Sequence, residues 1–116
     1  MGEHLASEYL IDLGWSVLQR NWRTKYGELD LIAVDGDTLV IVEVKTRASA
    51  FYGMSPAHAV TPDKLSRMRR LAGQWLAGQS TYWASIRFDV IAVQLDSSEP
   101  EDLDRAAIEH LRGVFE

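Results

Sequence analysis

Three side chains in the first half of the sequence are of the types that hydrolyse phosphodiester bonds. Glu43 and Lys45 stand two residues apart in LVIVEVKTR (39–47), and Asp30 lies in the preceding segment GELDLIAV (27–34). Because side chains alternate along a β-strand, Glu43 and Lys45 project from one face. Converging carboxylates suit Mg²⁺ or Mn²⁺, which prefer oxygen ligands. Such an ion binds a phosphodiester oxygen and helps to ionise water, and a neighbouring lysine can orient or deprotonate that water.

The pairing of two predicted strands decides whether the carboxylates of Asp30 and Glu43 meet. The intervening Asp-Gly-Asp segment (35–37) is typical of a tight β-hairpin. A two-residue turn at its Asp-Gly pair places Asp30 opposite Ile41, diagonally beside Glu43 on the same face, and a four-residue loop pairs Asp30 with Glu43 directly. A three-residue loop without a bulge separates the carboxylates onto opposite faces. From spacing alone, a solvated strand end with cross-strand charge pairs stays an alternative.

The elements that must position these residues follow from hydrophobic periodicity and turn signals. The predicted elements are helices over residues 2–13, 62–79 and 102–111, and strands over 15–22, 28–34, 38–46 and 86–94. Thr61 is expected to cap the second helix, with Pro62 at its first position, after a long surface loop over 47–60. The order α-β-β-β-α-β-α predicts an α/β fold, in which helices pack on a mixed sheet.

Composition and charge limit the class of protein. The chain has 116 residues and no cysteine, which excludes disulfides, thiolate zinc sites and cysteine nucleophiles. It has no apolar run near the roughly 20 residues of a membrane span and no signal-peptide pattern, so we expect one cytoplasmic domain over 1–116 without a membrane partner. The acidic segment 96–116 carries the whole net charge of −5, whereas residues 1–95 are neutral. The net charge therefore does not exclude a nucleic-acid partner.

Basic residues are predicted around the carboxylates. The candidate nucleic-acid-binding residues are Arg23, Lys25, Arg47, Lys64 and Arg67. The first three are expected on loops that flank the site, and the last two share one face of the second helix. Phosphate contacts of this kind set the position and the salt-dependent affinity of a nucleic acid. For the helical pair, an exposed face without a ligand is an equal alternative.

Other polar residues are given structural or incidental roles. Arg87 and Asp89 alternate on the last predicted strand and are expected to form an internal ion pair. The three histidines, His4, His58 and His110, have neither metal-ligand spacing nor a serine partner, and we interpret them as incidental.

Several motifs stand in the same order as in a known family. They are Gly2-Glu3 with Ala6, Asn21-x-Arg23, GELDLIAV (27–34), LVIVEVKTR (39–47), Thr61 with Lys64, and RFDVIAV (87–93). Together they resemble the YraN-like family of uncharacterised bacterial proteins, over essentially the whole chain. That family is similar to a branch of the PD-(D/E)XK nuclease superfamily, which has the restriction-endonuclease-like fold and includes relatives of archaeal Holliday-junction resolvases.

The resemblance implies a Mg²⁺- or Mn²⁺-dependent endonuclease. Carried over by position, the metal-binding acids fall on Asp30 and Glu43, the catalytic lysine on Lys45, and the acid that many resolvase-like members contribute from the first helix on Glu3. The implied substrate is DNA, and the resolvase kinship favours branched or junction DNA. Cleavage of both strands of a junction would call for a homodimer. The alternative is a catalytically inactive nucleic-acid-binding or protein-interaction module on the same fold.

Overall fold

Two helices and five strands make up residues 2–47 and 60–114, the part of the chain that this computed structural model describes. The elements are helices α1 (Gly2–Asp12) and α2 (Pro62–Ala77) and strands β1 (Ser16–Thr24), β2 (Gly27–Asp35), β3 (Thr38–Arg47), β4 (Ser85–Gln94) and β5 (Ala107–Leu111). A 3-10 turn, Leu103–Arg105, precedes β5. The predicted mixed α/β architecture is confirmed. The predicted loop over 47–60, with His58, lies almost entirely outside the described residues.

The strands form one mixed sheet in the order β1-β2-β3-β4-β5. Strands β1 to β3 are an antiparallel meander, β4 lies parallel to β3 with α2 between them in the chain, and β5 is antiparallel to β4. The central strand β3 is buried over residues 39–42 because neighbouring strands flank it and helices cover both faces.

Each helix covers one face of the sheet. Helix α1 packs through Ala6 and Leu10 on one face, where Leu31 and Val42 point, whereas Ile32 and Ile41 point to the α2 face. The buried stripe of α2 consists of Leu65, Met68, Leu71, Ala72 and Trp75. The predicted cap is confirmed, since the Thr61 hydroxyl accepts a hydrogen bond from the Lys64 amide at 3.2 Å. No helix within residues 2–47 and 60–114 is long and apolar enough to cross a membrane.

The predicted last helix over 102–111 is wrong, because this segment forms a 3-10 turn and then strand β5. Residues Ala107–Leu111 pair with Val90–Gln94, so their backbone groups are satisfied at an edge of β4 that the other strands leave open. The side chains alternate accordingly: Ile108 packs on the α1 side and Leu111 on the α2 side.

The turn between β2 and β3 lies one residue later than the Asp-Gly pair considered for a two-residue turn. Asp35 pairs with Thr38 and Val34 with Leu39, so the two turn residues are Gly36 and Asp37. Gly36 has a φ of +62°, a left-handed conformation that glycine adopts without strain. The observed register is that of the four-residue-loop alternative.

Candidate functional site: an acidic pair under helix α2

The carboxylates of Asp30 and Glu43 come together where β2 and β3 separate. The strand pairing ends at Leu31 and Val42, and the same register continued by one residue sets Asp30 opposite Glu43. Instead of a ladder bond, the Asp30 Oδ2 atom accepts a hydrogen bond from the Val44 amide at 2.8 Å. Asp30 is only 9% exposed. The structure thus brings together the two acids that the sequence predicts as metal ligands.

Both carboxylates line a cavity of about 230 Å³ between the sheet and α2. The lining residues are Gly27, Glu28, Asp30, Glu43, Lys64, Arg67, Met68 and Leu71. Strands β2 and β3 supply the acids, and the first half of α2 supplies two cations and the apolar wall. The capped start of α2 sets the place of Lys64, three residues after Thr61.

The two acids repel each other in this cavity. Burial, followed by the charge of Glu43, raises the pKa of Asp30 to about 7, although the hydrogen bond from the Val44 amide acts in the opposite direction. The charges of Glu3 and Glu28 raise the pKa of Asp30 further. A carboxyl with such a pKa titrates near neutrality, and a cation close by would favour its ionised form.

One cation already contacts the acidic pair. The Lys64 ammonium donates a hydrogen bond to the Glu43 carboxylate, with side chains that are 36% and 13% exposed, respectively. Arg67 lies one helical turn further along α2 and also lines the cavity. Two of the five predicted nucleic-acid-binding residues, Lys64 and Arg67, therefore line the same cavity as Asp30 and Glu43.

The other three predicted nucleic-acid-binding residues are placed differently. Arg23 lies at the end of β1 and pairs with Glu28 at 3.0 Å, and Arg47 is the last residue of β3, so neither stands on a loop as expected. Lys25 is in the turn between β1 and β2, with its Nζ atom 5.2 Å from the centre of the Tyr26 ring. A shallow surface depression adjoins this cavity and is lined by Arg23, Thr24, Gly27 and Glu28.

Lys45 and Glu3 stand at the margin of the acidic pair. Lys45 follows Glu43 by two residues on β3 and is half-buried, but it does not line the cavity. Glu3 is in the first turn of α1, and its charge reaches Asp30. Gly2 holds that turn against the end of β3: a Cβ atom there would overlap the Thr46 hydroxyl. Position 2 therefore requires glycine for close packing.

A second glycine shapes the cavity itself. Gly27 has a φ of +141°, and a Cβ atom built on it would lie 3.3 Å from Leu71 Cδ1 and 3.6 Å from Arg67 Cδ. This backbone conformation and the closeness of α2 both favour glycine. Sequence reasoning did not single out Gly27 as part of the site, although a lone glycine at the start of a strand is a signal of close approach.

The carboxylate oxygens of Asp30 and Glu43 fit a magnesium ion better than they fit a metal ion that needs many protein ligands. Within the described residues, no group of three or more His, Cys, Asp or Glu side chains is arranged to hold a metal ion. Mg²⁺ commonly keeps several waters and is bound through one or two carboxylates, and Asp30 with Glu43 provides two. The donor oxygens of both residues are of the hard type that Mg²⁺ and Mn²⁺ prefer.

A separate charged network on the α1 face shows no such repulsion. Asp89 is fully buried and accepts hydrogen bonds from Arg87 Nε at 2.9 Å and from the Gly113 amide at 2.9 Å, which confirms the predicted ion pair. Its Oδ2 atom is 2.8 Å from His110 Nε2, and His110 Nδ1 is 3.1 Å from the Tyr9 hydroxyl. The interpretation of His110 as incidental is wrong, because its ring links β4, β5 and α1.

The hydrogen bonds of this network decide the ionisation of Asp89. Burial raises the pKa of Asp89, but the bonds from His110, Arg87 and the Gly113 amide outweigh it, so the pKa lies below its usual range. Asp89 therefore has the partners that a buried charge needs, and we assign it to structure.

Comparisons with known proteins agree on one family. The model of the uncharacterised protein family UPF0102 matches residues 2–93. A UPF0102 protein of Mycobacterium avium is 52% identical, over 98% of this chain and 86% of its own. UPF0102 proteins of Mycolicibacterium vanbaalenii and Rhodococcus opacus are each 48% identical, over 98% of this chain and 89% and 92% of their own lengths. The chain therefore belongs to the uncharacterised protein family UPF0102, the YraN-like family whose motifs it carries.

Proposed function

We propose that this protein is a Mg²⁺- or Mn²⁺-dependent endonuclease that hydrolyses phosphodiester bonds of DNA. The observation that carries the proposal is the buried acidic pair of Asp30 and Glu43 in a cavity walled by the cations of α2. A carboxyl whose pKa is raised by burial and by a second acid, and which lies in a cleft, is typical of a functional site. The restriction-endonuclease-like fold that the motifs imply is compatible with the five-stranded mixed sheet.

Asp30 and Glu43 would hold the metal ion. Of the two Asp30 oxygens, Oδ2 is engaged by the Val44 amide, so the other remains for a ligand bond. When bound, the ion would polarise the phosphodiester and lower the pKa of a coordinated water.

The remaining roles belong to residues of the chain. Lys45, on the same face of β3 as Glu43, would orient or deprotonate the attacking water. Lys64 and Arg67 would bind non-bridging phosphate oxygens through charge-assisted hydrogen bonds. Glu3 would support the acidic pair from α1, since its charge already acts on Asp30.

Branched or junction DNA is the substrate class that the resolvase kinship favours, and this step rests on analogy. Cutting two strands of a junction needs two cavities, and therefore a homodimer. Arg23, Lys25 and Arg47 would then contact phosphates further from the scissile bond, where each contact contributes to a salt-dependent affinity.

Cleavage assays with a matched pair of variants test the proposal. A four-way junction, a duplex and a single strand are incubated with Mg²⁺ or Mn²⁺ and with wild type, Asp30→Asn or Glu109→Gln. Glu109 is an exposed acid on β5, so its variant makes the same chemical change away from the cavity. We expect wild type and Glu109→Gln to cut and Asp30→Asn not to cut. Cleavage by Asp30→Asn at the wild-type rate would contradict the assignment.

The second candidate function is a binding module without activity. It is favoured by the position of Lys45 outside the cavity lining and by the engagement of Glu43 with Lys64. In that case, DNA binding would be strong and salt-dependent, and none of the three substrates would be cut in either metal.

A further inference from the structure

The Lys64–Glu43 ion pair joins the acidic and basic walls of the cavity directly. The Glu43 side chain is 13% exposed and the Lys64 side chain 36%. In the surface depression beside this cavity, the side chains of the Arg23–Glu28 pair are 74% and 48% exposed, respectively. Exposed pairs of the latter kind contribute little, whereas a half-buried charge needs a partner. Lys64 is therefore the countercharge that offsets the energetic cost of burying the Glu43 carboxylate under α2.

The Lys64 side chain can leave Glu43 without any movement of α2. The backbone of Lys64 is fixed by the Thr61 cap and by Pro62 in the first helical turn. The ammonium itself stands on a flexible four-carbon chain and carries no planar constraint, unlike an arginine fork. A change of lysine rotamers moves the charge by several ångströms along the cavity, which Lys64 and Arg67 line together.

A divalent ion and the Lys64 ammonium compete for the same carboxylate. An ion held by Asp30 and Glu43 brings two positive charges beside an ammonium that is bonded to Glu43, and like charges at such a distance repel strongly in a half-buried site. The ammonium then needs a new anion. In the proposed function, the anion that enters this cavity is a phosphate of the substrate.

We propose that Lys64 couples metal binding to substrate binding: it neutralises Glu43 in the metal-free protein and moves to a substrate phosphate when a divalent ion takes Glu43. Lys64 thus competes with the metal for Glu43 when no substrate is present, and it contacts the phosphate when both are bound. This inference rests on the proposed function. It predicts that metal and DNA each strengthen the binding of the other, because such coupling is reciprocal.

The first experiment measures the affinity for Mn²⁺ by calorimetry, with no DNA present. The full chain is used at pH 8, where the Asp30 carboxyl is mostly ionised, as wild type, Lys64→Met, Lys64→Arg and Arg70→Met. Arg70→Met removes the same unit charge from the exposed side of the same helix, outside the cavity lining. We expect Lys64→Met to bind Mn²⁺ on the order of tenfold more tightly than wild type. Lys64→Arg and Arg70→Met should stay near wild type.

The second experiment measures the affinity for a fluorescein-labelled four-way junction by anisotropy, with and without Ca²⁺ in place of Mg²⁺. Ca²⁺ takes oxygen ligands in a looser geometry, and we use it to bind the acids without supporting cleavage. Wild type should bind the junction several-fold more tightly when Ca²⁺ is present. Lys64→Met should lose most of that gain, and Arg70→Met should keep it.

The outcomes separate this inference from the proposed function. If wild type binds no Mn²⁺, the metal-dependent function fails and the coupling fails with it. If wild type binds Mn²⁺ but Lys64→Met binds it no more tightly than Arg70→Met does, the coupling is wrong and the metal site stands. Circular dichroism and thermal melting of each variant verify that these comparisons are made between folded proteins.

Discussion

Asp30 and Asp89 are buried carboxylates on opposite faces of the same sheet. Asp89 accepts hydrogen bonds from Arg87, His110 and the Gly113 amide, and these lower its pKa. Burial and the charge of Glu43 raise the pKa of Asp30 to about 7, and among the described residues Asp30 accepts one hydrogen bond, from the Val44 amide. One aspartate is surrounded by donors, and the other faces a cavity and a second acid.

The difference shows that burial alone does not decide whether the fold stabilises the charge of an acid. Donors around Asp89 tie β4 to β5 and, through His110, to α1, so its charge contributes to the fold. The surroundings of Asp30 make its charge unfavourable in the metal-free protein. Such a cost is typical of positions kept for a ligand rather than for stability.

The largest expected effect separates the two aspartates by activity. In the proposed function, Asp30→Asn should lower the rate of DNA cleavage at least about a thousandfold, because it would remove a ligand of the metal that would stabilise the transition state. Asp89→Asn should retain the wild-type rate once that rate is corrected for the folded fraction. Single-turnover cleavage in Mg²⁺ measures the rates of both variants. Equal losses of rate in Asp30→Asn and Asp89→Asn would contradict the different roles given to the two aspartates.

The next effect separates them by stability. Asp89→Ala should lower the free energy of unfolding by about 3 kcal/mol, because the nearly buried His110 would lose its carboxylate partner and Arg87 would keep only Asp35. Asp30→Asn should not be less stable than wild type at pH 8, since it removes a charge that burial disfavours. Urea unfolding followed by circular dichroism gives both values. An Asp30→Asn variant as unstable as Asp89→Ala would mean that Asp30 is structural.

The pH dependence of stability should have opposite signs at the two sites. Because the folded protein holds the Asp30 proton up to about pH 7, the Asp30 contribution to the unfolding free energy falls as pH rises from about 4 to 7, by on the order of 4 kcal/mol. The lowered pKa of Asp89 gives stability that is lost only as pH falls below about 4. The difference in urea midpoint between wild type and Asp30→Asn, measured at each pH, isolates the contribution of Asp30. The same difference between wild type and Asp89→Asn isolates the contribution of Asp89. A flat difference for Asp30 between pH 4 and 8 would contradict the raised pKa.

The smallest expected effects rank the acids around Asp30. Glu43→Gln should lower the pKa of Asp30 more than Glu3→Gln does, because Glu43 contributes the larger charge interaction. Glu8→Gln, on the exposed side of α1, serves as the control and should leave that pKa unchanged. Titration of the carboxyl carbon of Asp30 by NMR provides the order. If Glu3→Gln lowered the pKa of Asp30 more than Glu43→Gln does, the main charge acting on Asp30 would come from α1, which would contradict this order.

Most of the fold could be predicted because its signals are local. The apolar runs of β2 and β3, the Asp-Gly-Asp segment between them and the Thr61–Pro62 start of α2 each indicate an element within a few residues. Strand β5 could not be predicted in this way, because a five-residue edge strand exists through its pairing with β4. The position of the β2–β3 turn also depended on packing, which selected between two registers that keep the same face toward α2.

The acidic pair could be predicted from residue types, but its cations could not be fully placed. Asp30 and Glu43 lie on adjacent strands, so that a hairpin register is enough to bring them together. The contact of Lys64 with Glu43 depends on how α2 crosses the sheet, which no local pattern specifies. His110 was missed for the same reason, since its partners come from β4 and α1.

The glycine at position 27 offers a way to narrow the cavity without changing any charge. A methyl group there would meet Leu71 and Arg67 and would demand a backbone conformation that other residues rarely adopt. Gly27→Ala would therefore obstruct the cavity sterically and leave Asp30, Glu43 and Lys64 unchanged. In a cell, such an allele would separate the consequences of an obstructed site from those of an altered one, which no substitution of Asp30 or Glu43 can do.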